Sequence, residues 1–177
     1  MPLSWSHVVL NVKDQDRMLE FYTRVLGFQV TDQGAVPERG FEITFLSQEA
    51  GEHHQIAFIP GRKDDGGSNS TAHMAFRVAG LKELRGMIDG LKGENVDMRP
   101  TSHGNTWSIY FQDPEKNGVE IFADTPWHVQ QPMGDVWDMD LDDDALLAWT
   151  KERFSSEPGF STKAEFIAKR EKEVAEG

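Results

Sequence analysis

One short pattern occurs twice in the chain, and this repeat constrains the fold more than any other feature. The apolar, alternating segments SHVVLNV and AHMAFRV place His7 over His73, 66 positions later. The segments HQIAF and GVEIF close the two copies, and matching them sets Ala57 opposite Glu120, 63 positions later. The two offsets differ only by small changes in loop length. Self-similarity at one period indicates an internal duplication, in which two copies of one supersecondary unit share a core.

Each copy has the order strand, helix and three further strands. In the first copy, alternation predicts a strand over residues 4–12, and Asp14 starts a helix that ends at Gly27. Its later strands are predicted at residues 28–31, 41–47 and 54–59. The second copy is predicted to have a helix at 81–91 and strands at 72–78, 96–99, 106–111 and 118–123. We therefore predict an α+β fold with two paired βαβββ modules that form a cupped, mostly antiparallel sheet, plus a C-terminal helical extension.

The chain is expected to have four segments. They are a first module at residues 1–60, a flexible connection at 61–71, a second module at 72–124 and a C-terminal extension at 125–177. The connection, GRKDDGGSNST, is polar and Gly-rich without periodicity, which is typical of a linker or a lid. The extension is too short to bury a core of its own, so we expect its two helices, at 145–154 and 162–174, to lie on the duplicated core. The carboxylates before Ala145 are predicted to cap a helix.

Composition excludes several classes of function. A formal net charge of −12 repels phosphate backbones, and no basic stripe interleaved with aromatic residues favours nucleic-acid binding. The chain has no Cys, so disulfides, thiolate metal sites and Cys nucleophiles are excluded. No apolar run approaches the roughly 20 residues that span a bilayer, and the N-terminal residues do not resemble a signal peptide. We expect a cytoplasmic protein that does not bind membranes.

Two His at matched positions of the repeat, with one Glu on its last strand, suggest a metal centre. His7 and His73 occupy equivalent strands, and Glu120 lies on the last strand of the second module. Each of these residues alone is more often structural or solvated, but their occurrence at duplicated positions favours a shared site. Two imidazoles and one carboxylate on one face of an ion leave the remaining positions open, which suits non-haem Fe(II).

Residues 4–124 resemble the vicinal-oxygen-chelate superfamily, which includes glyoxalases, bleomycin resistance proteins and extradiol dioxygenases. The His of the first strand, the helix LEFYTRVLGF and the strand DPEKNGVEIF carry this resemblance. Within the superfamily, TSHGNTWSIYFQDP is similar to the signature of single-domain type I extradiol dioxygenases. The matching residues are His103, Ile109-Tyr110, Asp113-Pro114 and Glu120. Lys116 departs from the signature, because the family favours Gly or Pro there.

The resemblance implies a catechol ring-cleaving enzyme that uses O2 in aromatic hydrocarbon catabolism. It implies Fe(II), with Mn(II) as an alternative, held by the two His and the Glu. It further implies His54 as a proton donor on the O2 side, with His53 as the less favoured neighbour, and Tyr110 and His103 as hydrogen-bonding partners of the substrate. Superfamily members commonly form homo-oligomers, so we expect one here.

Two other functions remain open. Glyoxalase-type or epimerase-type isomerases and lyases share the fold but use four protein ligands, the fourth on the last strand of the first module. That place falls on Ala57 here, although a two-residue slip would bring Gln55 to it. The third possibility is a non-enzymatic small-molecule-binding resistance protein, which typically lacks the His, His and Glu set.

Overall fold

The computed structural model describes residues 3–64 and 70–176, which form two compact units. The first unit comprises Met1–Ala72 together with Gln112–Asn117, and the second comprises His73–Phe111 together with Gly118–Gly177. Each unit contains one strand–helix–three-strand module, which confirms the predicted fold class. The predicted connection falls partly on residues 65–69, outside the described residues.

The first module forms a four-stranded mixed sheet with one helix. Its elements are β1 (Val8–Val12), α1 (Gln15–Glu20), β2 (Gln29–Val36), β3 (Phe41–Ser47) and β4 (Ile56–Pro60). The sheet order is β1-β4-β3-β2, with β1 parallel to β4 and the other pairs antiparallel. Asp14 caps α1 by accepting the Arg17 N–H at 3.0 Å, and a π-helical turn then leads to Gly27 at φ +79. The predicted helix boundaries are therefore confirmed.

The second module repeats this arrangement. Its elements are β5 (Met74–Arg77), α2 (Leu81–Gly93), β6 (Arg99–Ser102), β7 (Thr106–Gln112) and β8 (Gly118–Asp124). The sheet order is β5-β8-β7-β6, with β5 parallel to β8 and β6 antiparallel to β7. The helix α2 buries Leu84, Ile88 and Leu91, whose spacing places them on one face.

Strand register supports the duplication residue by residue. Val9 pairs with Ala57 in the first sheet, and Ala75 pairs with Glu120 in the second. Val9 and Ala75 are equivalent under the 66-residue offset, so Ala57 and Glu120 occupy equivalent places on their strands.

Several strand boundaries differ from the sequence-based expectation, and β2 runs to Val36 rather than ending at residue 31. The strands β1 and β5 begin at Val8 and Met74, so His7 and His73 immediately precede them rather than lying inside them. The strand predicted at residues 96–99 instead spans Arg99–Ser102, where Thr101 pairs with Ser108 and is buried. Pro100 concealed this strand in the sequence, because Pro is tolerated only at sheet edges, and β6 is the edge strand.

The C-terminal extension consists of a two-stranded ribbon and two helices. Its elements are β9 (Trp127–His128), α3 (Asp143–Phe154), β10 (Ser161–Thr162) and α4 (Lys163–Glu176), with β9 antiparallel to β10. The Asp142 carboxylate caps α3 by accepting the Ala145 N–H at 2.8 Å, as predicted. The extension packs on the second sheet, since the indole of Trp107 donates to the buried Thr150 hydroxyl at 2.8 Å. Among the described helices, none combines the length and apolarity needed to cross a bilayer.

Candidate metal centre

A His and a Glu of the second unit face each other across the start of the parallel strand pair. Glu120 lies in β8 and is buried, with 8% of its surface exposed, and His73 directly precedes β5. The His73 Nε2 lies 3.1 Å from the Glu120 Oε2. Both atoms belong to residues that the sequence predicted as metal ligands. The parallel register of β5 and β8 brings them together.

A Tyr and a second His extend this pair into a line of polar groups. The ring of Tyr110 lies perpendicular to that of His73, with centroids 5.4 Å apart. The Tyr110 hydroxyl lies 2.9 Å from the Nε2 of His103, and the Nδ1 of His103 contacts the carbonyl oxygen of Met133. A carbonyl oxygen only accepts, so the ring proton of His103 lies on Nδ1 and its Nε2 is an acceptor for the Tyr110 O–H, as is the carboxylate of Glu120.

The surroundings of Tyr110 keep its phenol protonated. Partial burial, together with the hydrogen bond and negative charge of Glu120, raises the pKa of Tyr110 well above its usual value. The guanidinium of Arg99 opposes this effect from 5.0 Å above the ring. Tyr110 therefore acts as a hydrogen-bond donor near neutral pH.

The first unit contains a separate cluster of histidines. The rings of His7 and His54 lie 4.2 Å apart, and the Nδ1 atoms of His53 and His54 are 2.9 Å apart. Phe45 presents its ring edge-on to both His53 and His54. The Nε2 of His53 lies 3.6 Å from a carboxylate oxygen of Asp32.

This setting favours the neutral form of His54. Burial and the neighbouring charges of His7 and His53 lower the pKa of His54, so the imidazole is uncharged near neutral pH. Sequence reasoning preferred His54 to His53 and treated His53 as a loop residue. The contact between their Nδ1 atoms links the two rings, and the adjacency of two His was the only signal for it in the sequence.

The predicted ligands are distributed over both units. His7 belongs to the first unit, and His73 and Glu120 belong to the second. Within residues 3–64 and 70–176, no group of three or more His, Asp or Glu is arranged to hold a metal ion, so the three-residue ligand set stays a prediction.

The pair in the second unit does fit a divalent ion. Neighbouring ligand atoms about 2.1 Å from an octahedral ion lie roughly 3 Å apart, which matches the spacing of the His73 Nε2 and the Glu120 Oε2.

Three contacts at these clusters were absent from the sequence-based expectation. Arg99 lies over the Tyr110 ring, the Met133 carbonyl binds His103, and Phe45 packs against His54. The Met133 contact involves a main-chain oxygen, which every residue type carries, so no sequence signal could have identified it.

Comparison with known proteins identifies the family. Residues 4–121 match the Glyoxalase/Bleomycin resistance protein/Dioxygenase superfamily. The chain belongs to this superfamily. Its members include dioxygenases and glyoxalases, and the predicted resemblance is confirmed at that level.

Individual members of the superfamily point to more than one activity. The chain is 28% identical over 125 residues to biphenyl-2,3-diol 1,2-dioxygenase 2 of Rhodococcus globerulus, covering 68% of this chain and 62% of that protein. The fosfomycin resistance protein FosX of Listeria monocytogenes, complexed with Mn(II), aligns with a TM-score of 0.54 at 24% identity over 71% of this chain and 95% of FosX. Glyoxalase I of Leishmania major aligns with a TM-score of 0.55 at 20% identity over 69% of this chain and 87% of that protein.

These relationships differ in what they show. Both structural alignments have identities below 25% and show the fold alone. The chain spans 40% to 62% of the length of three dioxygenases that it matches at 28–30% identity.

Proposed function

We propose that the chain is an extradiol dioxygenase, which opens a catechol-type aromatic diol with O2. One observation carries this proposal: the Tyr110 hydroxyl donates to His103 beside the His73–Glu120 pair. The reaction inserts both oxygen atoms of O2 and gives a ring-opened hydroxy-semialdehyde or its ketone analogue. The dioxygenase relatives support this assignment by sequence.

We propose His7, His73 and Glu120 as the ligands of a divalent ion, Fe(II) or alternatively Mn(II). The donor set consists of neutral nitrogens and one carboxylate, which both ions accept. When bound, the ion supplies one centre at which both catechol oxygens and O2 can bind.

The remaining proposed catalytic residues move protons. A catechol must lose a proton before its ring opens, and the Tyr110 oxygen would accept a hydrogen bond from the substrate hydroxyl. When the Tyr110 hydroxyl donates to the Nε2 of His103 rather than to Glu120, a substrate proton can be passed to His103 through Tyr110. The neutral imidazole of His54 would accept a proton and return it to an oxygen atom derived from O2.

The glyoxalase-type alternative has its own support. The chain is 35% identical to lactoylglutathione lyase of Pseudomonas putida over 66 residues, which is 32% of this chain. The strand register disfavours a fourth protein ligand for the metal. Ala57 occupies the position equivalent to Glu120, and its side chain has no atom that could bind a metal ion. The side-chain oxygen of Gln55, the other candidate, already accepts the Gln48 N–H at 2.9 Å.

Anaerobic reconstitution with Fe(II), followed by oxygen uptake with a panel of catechols, tests the proposal. We expect one O2 consumed per catechol and a yellow ring-opened product. Glu120→Ala should lose both bound iron and activity, whereas Glu42→Ala, which removes an exposed strand carboxylate, should keep both. Failure of every catechol to consume O2 at full iron loading would refute the dioxygenase.

The same preparation separates the alternatives. Activity with the hemithioacetal of methylglyoxal and glutathione in the presence of Ni(II) or Zn(II) would indicate the isomerase. Protein that retains no metal, yet binds small molecules, would indicate a resistance protein.

We also propose that the chain forms a homo-oligomer. Analytical ultracentrifugation of this preparation measures its oligomeric state.

A further inference from the structure

The C-terminal extension contacts His103 from several directions. We call residues 129–136 the strap. The main chains of Ser102 and Asp135 exchange two hydrogen bonds, at 2.7 and 2.9 Å. The side-chain amide of Gln131 donates to the His103 carbonyl at 2.7 Å, and its oxygen accepts the Met133 N–H at 3.0 Å. The strap therefore holds His103 by its main chain on both sides.

The strap is itself anchored to the second sheet and to α3. The Arg153 guanidinium in α3 forms an ion pair with the Asp135 carboxylate at 3.0 Å. The buried Trp137, which follows the strap, donates its indole N–H to the Ser108 carbonyl at 3.1 Å. These contacts fix both the strap's position and the direction of its carbonyl groups.

Gly104 allows the strap to approach this closely. Its φ of +78 lies in the left-handed region, and a Cβ there would lie 2.4 Å from the Val129 side chain and 3.1 Å from that of Phe154. The residue after His103 is thus adapted to contact with the extension, and this contact brings the Met133 carbonyl to the His103 ring.

The Met133 carbonyl decides which way the Tyr110–His103 hydrogen bond runs. With the carbonyl on Nδ1, the His103 Nε2 has a free lone pair and receives the Tyr110 proton. Without it, the ring could carry its proton on Nε2 and donate to Tyr110, and His103 could then take no proton from that side. The direction of proton movement proposed above depends on this choice.

We infer that the strap is part of the active site, and that Gln131 is a positioning residue which holds the Met133 carbonyl on His103 and so fixes the His103 tautomer. This inference rests on the proposed function for its catalytic consequence, but the tautomer itself does not depend on any activity. The C-terminal extension thereby has a function beyond covering the second sheet.

Nitrogen NMR of the full-length protein labelled with ¹⁵N-histidine tests this inference, with His103 assigned by its loss in His103→Gln. In the wild-type protein we expect Nδ1 to be protonated and Nε2 to be unprotonated. Gln131→Ala and the length-preserving Gln131→Met should shift both resonances toward a mixture of tautomers. Gln130→Ala is the matched control, because Gln130 is also exposed and adjoins Gln131, and it is its main-chain N–H that donates, to the Pro158 carbonyl at 3.0 Å.

Kinetics on the iron-loaded enzyme complete the test. We expect kcat for ring cleavage to fall about tenfold or more in both Gln131 variants, with KM and the melting temperature close to those of Gln130→Ala. A proton on Nε2 in the wild-type protein, or unchanged His103 resonances in both Gln131 variants, would overturn the inference. If the tautomer responds as expected but no catechol is cleaved, the proposed function fails and the positioning role stands.

Discussion

The two tyrosines of this chain have the same chemical group in two different settings. Tyr22 is fully buried in the first unit, and its hydroxyl donates to the Asp113 carboxylate at 3.1 Å. Burial, followed by the charge of Asp113, raises the pKa of Tyr22, and burial also raises the pKa of Asp113. Tyr110 is only partly buried and is hydrogen-bonded to His103 as well as to the Glu120 carboxylate. The first hydroxyl satisfies a buried carboxylate, whereas the second is the one proposed to contact the substrate.

Substituting each tyrosine by Phe should separate stability from activity. Tyr22→Phe removes one donor from a buried carboxylate, so we expect the free energy of unfolding to fall by about 1–2 kcal/mol with ring-cleaving activity retained. Tyr110→Phe should lower kcat by about tenfold or more and change stability by less than about 0.5 kcal/mol. Denaturant unfolding and oxygen uptake on both variants measure this, and each variant is the control for the other. If both variants lost stability, or if both lost ring-cleaving activity, the proposed difference between the two tyrosines would be contradicted.

The last helix, α4, is held to the rest of the second unit by few contacts. None of its described side chains is fully buried. Its Phe166 stacks on His128 of β9, with ring centroids 3.6 Å apart and planes 13° from parallel. Burial, and to a lesser degree the charge of Lys169, lowers the pKa of His128. The stacking of Phe166 on His128 should therefore respond to the charge on the imidazole.

The contribution of His128 to stability should depend on pH. Its pKa in the folded state lies below the value of about 6.5 in the unfolded chain. The neutral form therefore stabilises the fold fully above about pH 6.5, and this contribution is lost as the pH falls through the folded pKa. We expect the stability difference between wild type and His128→Gln to be larger at about pH 7.5 than at about pH 5.

Lys169→Gln serves as the control for this prediction. It removes the positive charge near His128 but keeps the ring stack, so the pH dependence should become weaker than in the wild type. Denaturant unfolding at the two pH values measures all three proteins. A stability difference for His128→Gln that does not change with pH would disprove the prediction.

At the scale of the whole molecule, the turn Gln112–Asn117 belongs to the first unit, although the strands on either side of it belong to the second. The side chain of its Glu115, with 8% exposed, accepts the N–H groups of Lys13 and Asp14 at 2.7 and 2.8 Å. Arg62, with 5% of its side chain exposed, donates to the Glu115 carbonyl at 2.9 Å and pairs with its carboxylate at 3.5 Å. Lys116 adopts φ +64, in the left-handed region that Gly adopts most readily.

Breaking this buried pair should destabilise the whole chain. Arg62→Met leaves the Glu115 carboxylate buried without its cation, so we expect a loss of about 3 kcal/mol in the free energy of unfolding. Arg24→Met removes an exposed cation that pairs with Glu20 at 3.4 Å, and it should cost less than about 1 kcal/mol. Denaturant unfolding compares the two variants. Equal losses in the free energy of unfolding would show that the Arg62–Glu115 pair contributes no more than an exposed ion pair.

The sequence by itself determined the duplication, the order of the elements, the helix caps at Asp14 and Asp142, and the residue types available for a metal centre. Periodicity, capping and residue type are local properties, so they can be recognised without knowing which segments meet. The superfamily followed from the same local motifs. The strand containing Pro100 was misplaced, because local propensity disfavours a residue that an edge strand tolerates.

Only the tertiary structure decided how the candidate groups are oriented. The His103 tautomer depends on the Met133 carbonyl, 30 residues away in the chain, and the Arg62–Glu115 pair spans 53 residues. Main-chain carbonyls carry no residue-specific signal, and a buried ion pair forms between segments that only folding brings together. Local patterns can therefore name the chemical groups of this protein, whereas distant contacts set the protonation and direction on which the proposed chemistry depends.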